Sequence, residues 1–450
     1  MNKIGFVCFG EVNTPIAKLE EKHNHALKEL SALDAEIMDA GLVQDDPEYS
    51  TADAAIARLK KEHFNSLIVC VAGWIPSHAV IRVTDAFRHI PMVLWGLAGW
   101  KENGKIVTTA GQAGTPALRG VFEEMDYKFK YVYSIIGEPE PVEKIKSFTD
   151  AAYAASQLRG ARVGTMGYRD MLLYGTQFEG ISLRGQIGVE VEPFEMLEMV
   201  QNLESVDEKR VEEIVRYVKD NWVFQEKGGD EVIEKGVRYA LALGKKIEER
   251  KYEAISLIDV DGMKKLLHFP PAMVFMLLDH YYDVLTVPEN DILGAVTQLM
   301  LKCLTGQNVA YLEYYEYFKE SMLIGVPDFV PASATDGKIT VLPTAFGMFS
   351  ASLVNVSKVK PGYVTCARLI YKKGRYYMHV YTGTAKQAMP WEEYGWEPPA
   401  PQLPSLEVFP DSCSVEEFAQ QVWSQHVIVA YGDHSESLKD LCRILNIEWI

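Results

Sequence analysis

The stretch TVPENDILGAVTQLMLKCLTGQNVAYLEYY, residues 286–315, decides how this chain is read. The run from Val284 to Val287 is a short apolar strand that Pro288 ends. Glu289, Asn290 and Asp291 follow, and then ILGAVTQLMLKCL, a helix too apolar to lie on a surface. Asp291 or Asn290 caps this helix and TGQN closes it. VAYLEYY is a strand again. Such a unit predicts a right-handed crossover joining parallel strands. Glu289 then leaves the C-terminal end of the first strand and Glu313 that of the second, on the edge where open α/β sheets bind ligands. Carboxylates so close repel unless a proton, an arginine or a cation neutralises them. A divalent metal is the economical solution, and an added imidazole favours Mn2+ over Mg2+.

Outward from this stretch the pattern is α/β. KIGFVCFG (3–10), SLIVCVAGW (66–74) and IPMVLWG (90–96) are continuous apolar runs, the mark of strands buried on both faces. Helical spacing fills the gaps between them, which predicts a doubly wound parallel sheet. A second unit of this type starts at ARVGTMG (161–167) and runs through IGVEVEP and AISLIDV. GTMGYRD lacks the third glycine of a dinucleotide fingerprint, which argues against a nicotinamide site. After about residue 335 the strands KITVLPTAF, YVTCARLIYKK and RYYMHVYTGTA follow one another across Gly and Pro turns, the pattern of an antiparallel barrel or sandwich. A proline-rich loop, 392–405, interrupts it. The expected organisation is two doubly wound Rossmann-like α/β domains, 1–155 and 156–335, followed by a C-terminal antiparallel β-barrel, 336–450.

The formal charge of −17 over 450 residues repels nucleic acid and anionic lipid, so neither is an expected partner. No run reaches the ~18 apolar residues of a membrane span. The first residues read as a β-strand, not a signal peptide. Six scattered cysteines with no CxxC pair suit buried free thiols in a reducing cytoplasm. Among ten histidines, His426 stands apart: it follows a helix and opens the strand HVIVAYG, with Gln425 beside it.

These residues resemble a known family. ENDILGAVTQLMLKCLTGQNVAYLEYY is similar to the core motif of L-fucose isomerases, and HVIVAYGDHSESLKDLCRILNI to their C-terminal stretch. VKPGYVTCARLIYKKGRYYMHVYTG resembles their barrel segment, and LRGARVGTMGYRDMLLYG the opening of their second α/β domain. Residues 1–154 match mainly in strand order and in the VAGWIPSHAV loop. The resemblance implies a metal-dependent aldose–ketose isomerase, with Glu289, Glu313 and His426 as ligands of Mn2+ (or Mg2+ or Co2+) and the two glutamates as the catalytic pair. It implies a cytoplasmic homo-oligomer, a hexamer, whose active sites form between subunits. Trp74 and His78 on a strand-end loop, Lys264 in DVDGMKKLLHF, and Gln425 are candidate sugar contacts.

The chain departs from the family in particular places. Its second carboxylate is Glu where fucose isomerases carry Asp and the related L-arabinose isomerases carry Glu. The second histidine of arabinose isomerases has no counterpart in FKESMLIGVPDFVPAS, and the fucose-type arginine is absent from IGFVCFGEVNTPIAK. A sugar with an anionic group such as sulfoquinovose is therefore an alternative substrate, and a non-catalytic sugar-binding homologue an alternative protein.

Overall fold

The computed structural model describes residues 1–227, 229–326, 329–343, 352–389 and 403–450. Two compact units divide the chain: Met1–Ser156 with Glu436–Leu445, and Gln157–Ser435 with Asn446–Ile450.

In the first unit the apolar runs Lys3–Phe9, Ser66–Val71 and Met92–Gly96 are the central strands of a five-stranded parallel sheet, flanked by Glu36–Val43 and Phe129–Tyr133. Because strand side chains alternate, each run supplies two cores. Val7, Phe9, Leu67, Val69 and Val71 fill one, and Ile4, Phe6, Ile68 and Trp95 fill the other. The late segment Glu436–Leu445 belongs to this unit through a buried ion pair. Lys130 Nζ lies 2.5 Å from Asp440 Oδ2, and Ser147 Oγ donates to the same oxygen at 2.8 Å.

The second unit holds a four-stranded parallel sheet in the order Leu285–Val287, Ala254–Leu257, Arg162–Met166, Glu190–Phe194. It also holds a closed antiparallel barrel of six strands. Around the barrel these are Gly362–Lys372, His426–Tyr431, Ala310–Tyr317, Met322–Gly325, Ser405–Pro410 and Arg375–Gln387, which pairs back onto the first. Glu448–Trp449 adds in parallel to Arg375–Gln387.

This topology corrects three expectations. The strands either side of the helix Ile292–Thr305 do not share a parallel sheet: Leu285–Val287 lies in the α/β sheet and Ala310–Tyr317 in the barrel. In the structure AYLEYY turns Ala310 and Leu312 into the barrel core and Tyr311 and Glu313 the other way, so the strand packs one face into the barrel. The barrel therefore begins at Ala310, not at 336. Thr340–Leu342, expected in the barrel, pairs instead with Val223–Phe224 and Val354–Asn355. Most of the proline-rich loop 392–405 lies outside the described residues. The six cysteines are free. Among the described residues no helix is long and apolar enough to cross a membrane.

Candidate metal centre

The helix Ile292–Thr305 joins the four-stranded sheet to the barrel, and the centre forms at its N-terminal end. Beyond Pro288, Glu289 (φ 62°) and Asn290 (φ 53°) both take the left-handed conformation, which costs an L-residue roughly 1–3 kcal/mol. Two successive strained residues need strong supports. Asp259 Oδ1 accepts from Glu289 N at 2.6 Å, and Leu257 O accepts from Asn290 N at 3.1 Å. The Asn290 amide donates to Thr165 Oγ1 and Met166 O, both at 2.9 Å. Asn290 thus ties the turn to the sheet while Glu289 is free to face elsewhere. Asp291 caps the helix as expected, accepting from Gly294 N at 3.0 Å.

The barrel supplies the other two groups. Glu313 and His426 stand directly opposite on neighbouring antiparallel strands, and cross-strand partners have side chains on the same face. Glu289, Glu313 and His426 each present one ligating atom, all within 4.8 Å of one another. His426 Nε2 lies 3.2 Å from Glu289 Oε2 and 3.5 Å from Glu313 Oε1. It aligns with neither as a hydrogen bond and is buried without a partner. Its other nitrogen, Nδ1, is 3.1 Å from Asp291 Oδ2.

Burial, together with the nearby carboxylates of Glu313 and Asp291, pushes the Glu289 carboxyl above its ordinary range, against the pull of His426. Burial would likewise lower His426, but Asp291, Glu289 and Glu313 surround it and hold its pKa well above 6.5. Asp291 goes the other way. Its burial is outweighed by the Arg368 guanidinium and by His426, which keep the carboxyl far below the usual range. Two acids crowded on one imidazole nitrogen call for a positive charge between them, either a proton or a metal ion. The donors present fit a divalent ion: two carboxylates and one imidazole, with an unsatisfied buried nitrogen among them.

Gln425, a candidate sugar contact, stands at the centre and donates from Nε2 to Glu289 Oε2 at 3.2 Å. Lys264 ends the turn Asp259–Lys264 and is half-buried. Trp74 and His78 belong to the first unit, where Trp74 is exposed and His78 packs edge-on against Tyr49. Sequence reasoning missed three contributors. Asp291 has a second set of contacts beyond its cap, and Arg368 and Tyr311 were not singled out. Arg368 clamps Asp291 from the barrel strand Gly362–Lys372, and Tyr311 Oη donates to Asp291 Oδ2 at 2.7 Å. A lone arginine inside the apolar run VTCARLI is the signal that was available.

No protein-family model matches the chain, and no curated protein matches it in sequence. Among solved structures, an ABC-transporter periplasmic solute-binding protein from Actinobacillus succinogenes with bound D-allose aligns at a TM-score of 0.17 and 11% identity, over 67% of this chain and 92% of that chain. An ABC-transporter solute-binding protein from Burkholderia multivorans, with an unknown ligand interpreted as α-D-erythrofuranose, aligns at 0.18 and 8%, over 68% of this chain and 94% of that chain. At these TM-scores neither likeness bears on the fold or on the function.

Proposed function

We propose that the chain is a divalent-metal-dependent aldose–ketose isomerase of the L-fucose and L-arabinose isomerase type, acting on an open-chain sugar through an enediol. One observation carries the reading: His426 Nε2, buried and without a hydrogen bond, faces the carboxylates of Glu289 and Glu313. Those three residues hold the ion, Mn2+ in first place with Mg2+ or Co2+ as substitutes. When bound, such an ion supplies Lewis-acid stabilisation of the negative charge that develops on the sugar oxygens.

The reaction moves a proton between C2 and C1, and the two glutamates do this work. One takes the C2 proton and returns it to C1 while the other relays the hydroxyl proton. Their surroundings divide the roles. The Glu313 side chain is 19% exposed, and its one ion pair among the described residues is with His426, so it is the carboxylate open to an arriving sugar. Glu289 is buried and tied to Gln425, which leaves it the proton relay.

The same reading gives the α/β parts a doubly wound, Rossmann-like wrapping. It makes the protein a cytoplasmic homo-oligomer, a hexamer, with Trp74 and His78 serving a neighbouring subunit's sugar. The test is turnover of metal-stripped protein on neutral and anionic aldoses with Mn2+ added back, beside Glu289→Gln. Mn2+-dependent turnover that Glu289→Gln abolishes supports the reading. Silence on every sugar, with no Mn2+ bound, overturns it.

A further inference from the structure

We infer that Asp291 is the positioning residue of the metal centre: clamped by Arg368, it selects the Nδ1–H tautomer of His426 and so leaves Nε2 as the ligating atom. The inference rests on the metal centre of the proposed function but concerns a residue outside its ligand set.

Asp291 is fully buried and receives five contacts from donor groups. Oδ1 accepts from Gly294 N at 3.0 Å and from Arg368 Nη2 at 2.8 Å. Oδ2 accepts from Tyr311 Oη at 2.7 Å and from Arg368 Nη1, and lies 3.1 Å from His426 Nδ1. A carboxylate offers about four lone-pair sites. These are filled, so Asp291 has nothing left with which to bind a metal, although it stands two residues from Glu289. Its role reaches the metal through the imidazole.

An ionised carboxylate only accepts, so the His426 nitrogen facing it must carry the proton. The lone pair of a neutral imidazole is then on Nε2, the nitrogen that faces Glu289 and Glu313. Arg368 matters because it keeps Asp291 a pure acceptor and because it balances the charge of the centre. With Arg368 paired to Asp291, the two glutamates and a neutral His426 carry two negative charges, the complement of a divalent ion.

Asp291→Asn reverses this logic with little change of shape. The asparagine oxygen must stay toward Gly294 N–H, which cannot become an acceptor, so its NH2 falls where Oδ2 was. Tyr311 can turn its hydroxyl to accept that NH2, and Arg368 Nη1, which can only donate, must draw back from it while Nη2 stays on the oxygen. His426 can accept it only by moving its proton to Nε2, which removes the ligand.

The experiment is Mn2+ titration by calorimetry, together with the 14N coupling of bound Mn2+ measured by pulsed electron paramagnetic resonance. Wild type and His379→Phe, which changes a buried barrel histidine outside the centre, are expected to show a directly bound imidazole nitrogen and affinities within about threefold of each other. Asp291→Asn is expected to bind Mn2+ ~10–100-fold more weakly and to lose the nitrogen coupling when saturated. If Asp291→Asn does not fold, Arg368→Met takes its place: it removes the counter-ion from Asp291, and the same losses are expected in smaller measure. An Asp291→Asn or Arg368→Met protein that keeps both coupling and affinity overturns the inference. So does a His379→Phe protein as impaired as Asp291→Asn, because the effect would then be general disorder of the barrel. Wild type that binds no Mn2+ fails differently: it overturns the metal reading itself.

Discussion

Arg368→Met removes a guanidinium from the interior of the second unit and leaves the Asp291 carboxylate without its counter-ion. Arg368 is 4% exposed and Asp291 0%, so water does not replace what is lost. Two charge-assisted hydrogen bonds disappear, each worth ~1.5–3 kcal/mol. Breaking a buried ion pair from one side costs ~3–5 kcal/mol by independent measure. Gly294 N, Tyr311 Oη and His426 Nδ1 still face the carboxylate, which places the loss in the lower half of that range, at about 3–4 kcal/mol. For a unit of this size that lowers Tm by roughly 10 °C. The assay is thermal and urea unfolding of metal-free protein, run as a cycle with Asp291→Asn and the double mutant. Because the double mutant leaves no uncompensated charge, it should be more stable than the two single losses added together, by ~1.5 kcal/mol or more. A Tm within 1 °C of wild type for Arg368→Met, or an additive cycle, refutes the reasoning.

Gly294→Ala should disturb the same network from the helix side. A Cβ there would lie 2.6 Å from Asp291 Oδ2 and 2.7 Å from the Tyr311 ring, so a loss of ~1–3 kcal/mol and weaker Mn2+ binding are expected by urea unfolding and calorimetry. His379 stacks on Phe418 with ring centroids 4.9 Å apart, and burial lowers its pKa from 6.5 to about 4. A depressed pKa means the neutral form is favoured on folding. The associated stability is full above about pH 6.5 and is lost as pH falls through about 4. His379→Phe keeps the stack and removes the titration. Wild type should therefore lose about 2 kcal/mol more than His379→Phe between pH 7 and 4.5, read from urea midpoints. Equal losses would contradict this.

What the sequence disclosed follows from which forces are local. Strands buried on both faces leave continuous apolar runs, so the central strands of the first sheet were legible in KIGFVCF, SLIVCV and MVLWG. The helix Ile292–Thr305 was legible from its ends, with Asp291 as cap and Gly306 in the left-handed conformation closing it. The partner sheet of Ala310–Tyr317 was not, because an apolar run encodes burial and not the neighbour that provides it. Glu313 was expected at the C-terminal end of its strand, which in fact runs on to Tyr317, and His426 does open its strand, but their meeting depends on barrel register. The second role of Asp291 was hidden for another reason. Its cap explains one contact, and the other groups on the carboxylate, Tyr311, Arg368 and His426, are 20, 77 and 135 positions away.

The claim that tests everything else is that Glu289, Glu313 and His426 form one divalent-metal centre. Calorimetric titration of metal-stripped protein with Mn2+, beside His426→Gln, addresses it most directly. The account predicts one equivalent bound by wild type and affinity reduced at least ~100-fold in His426→Gln, since a buried nitrogen ligand has no substitute nearby. No binding by wild type, or binding that His426→Gln leaves intact, would contradict it.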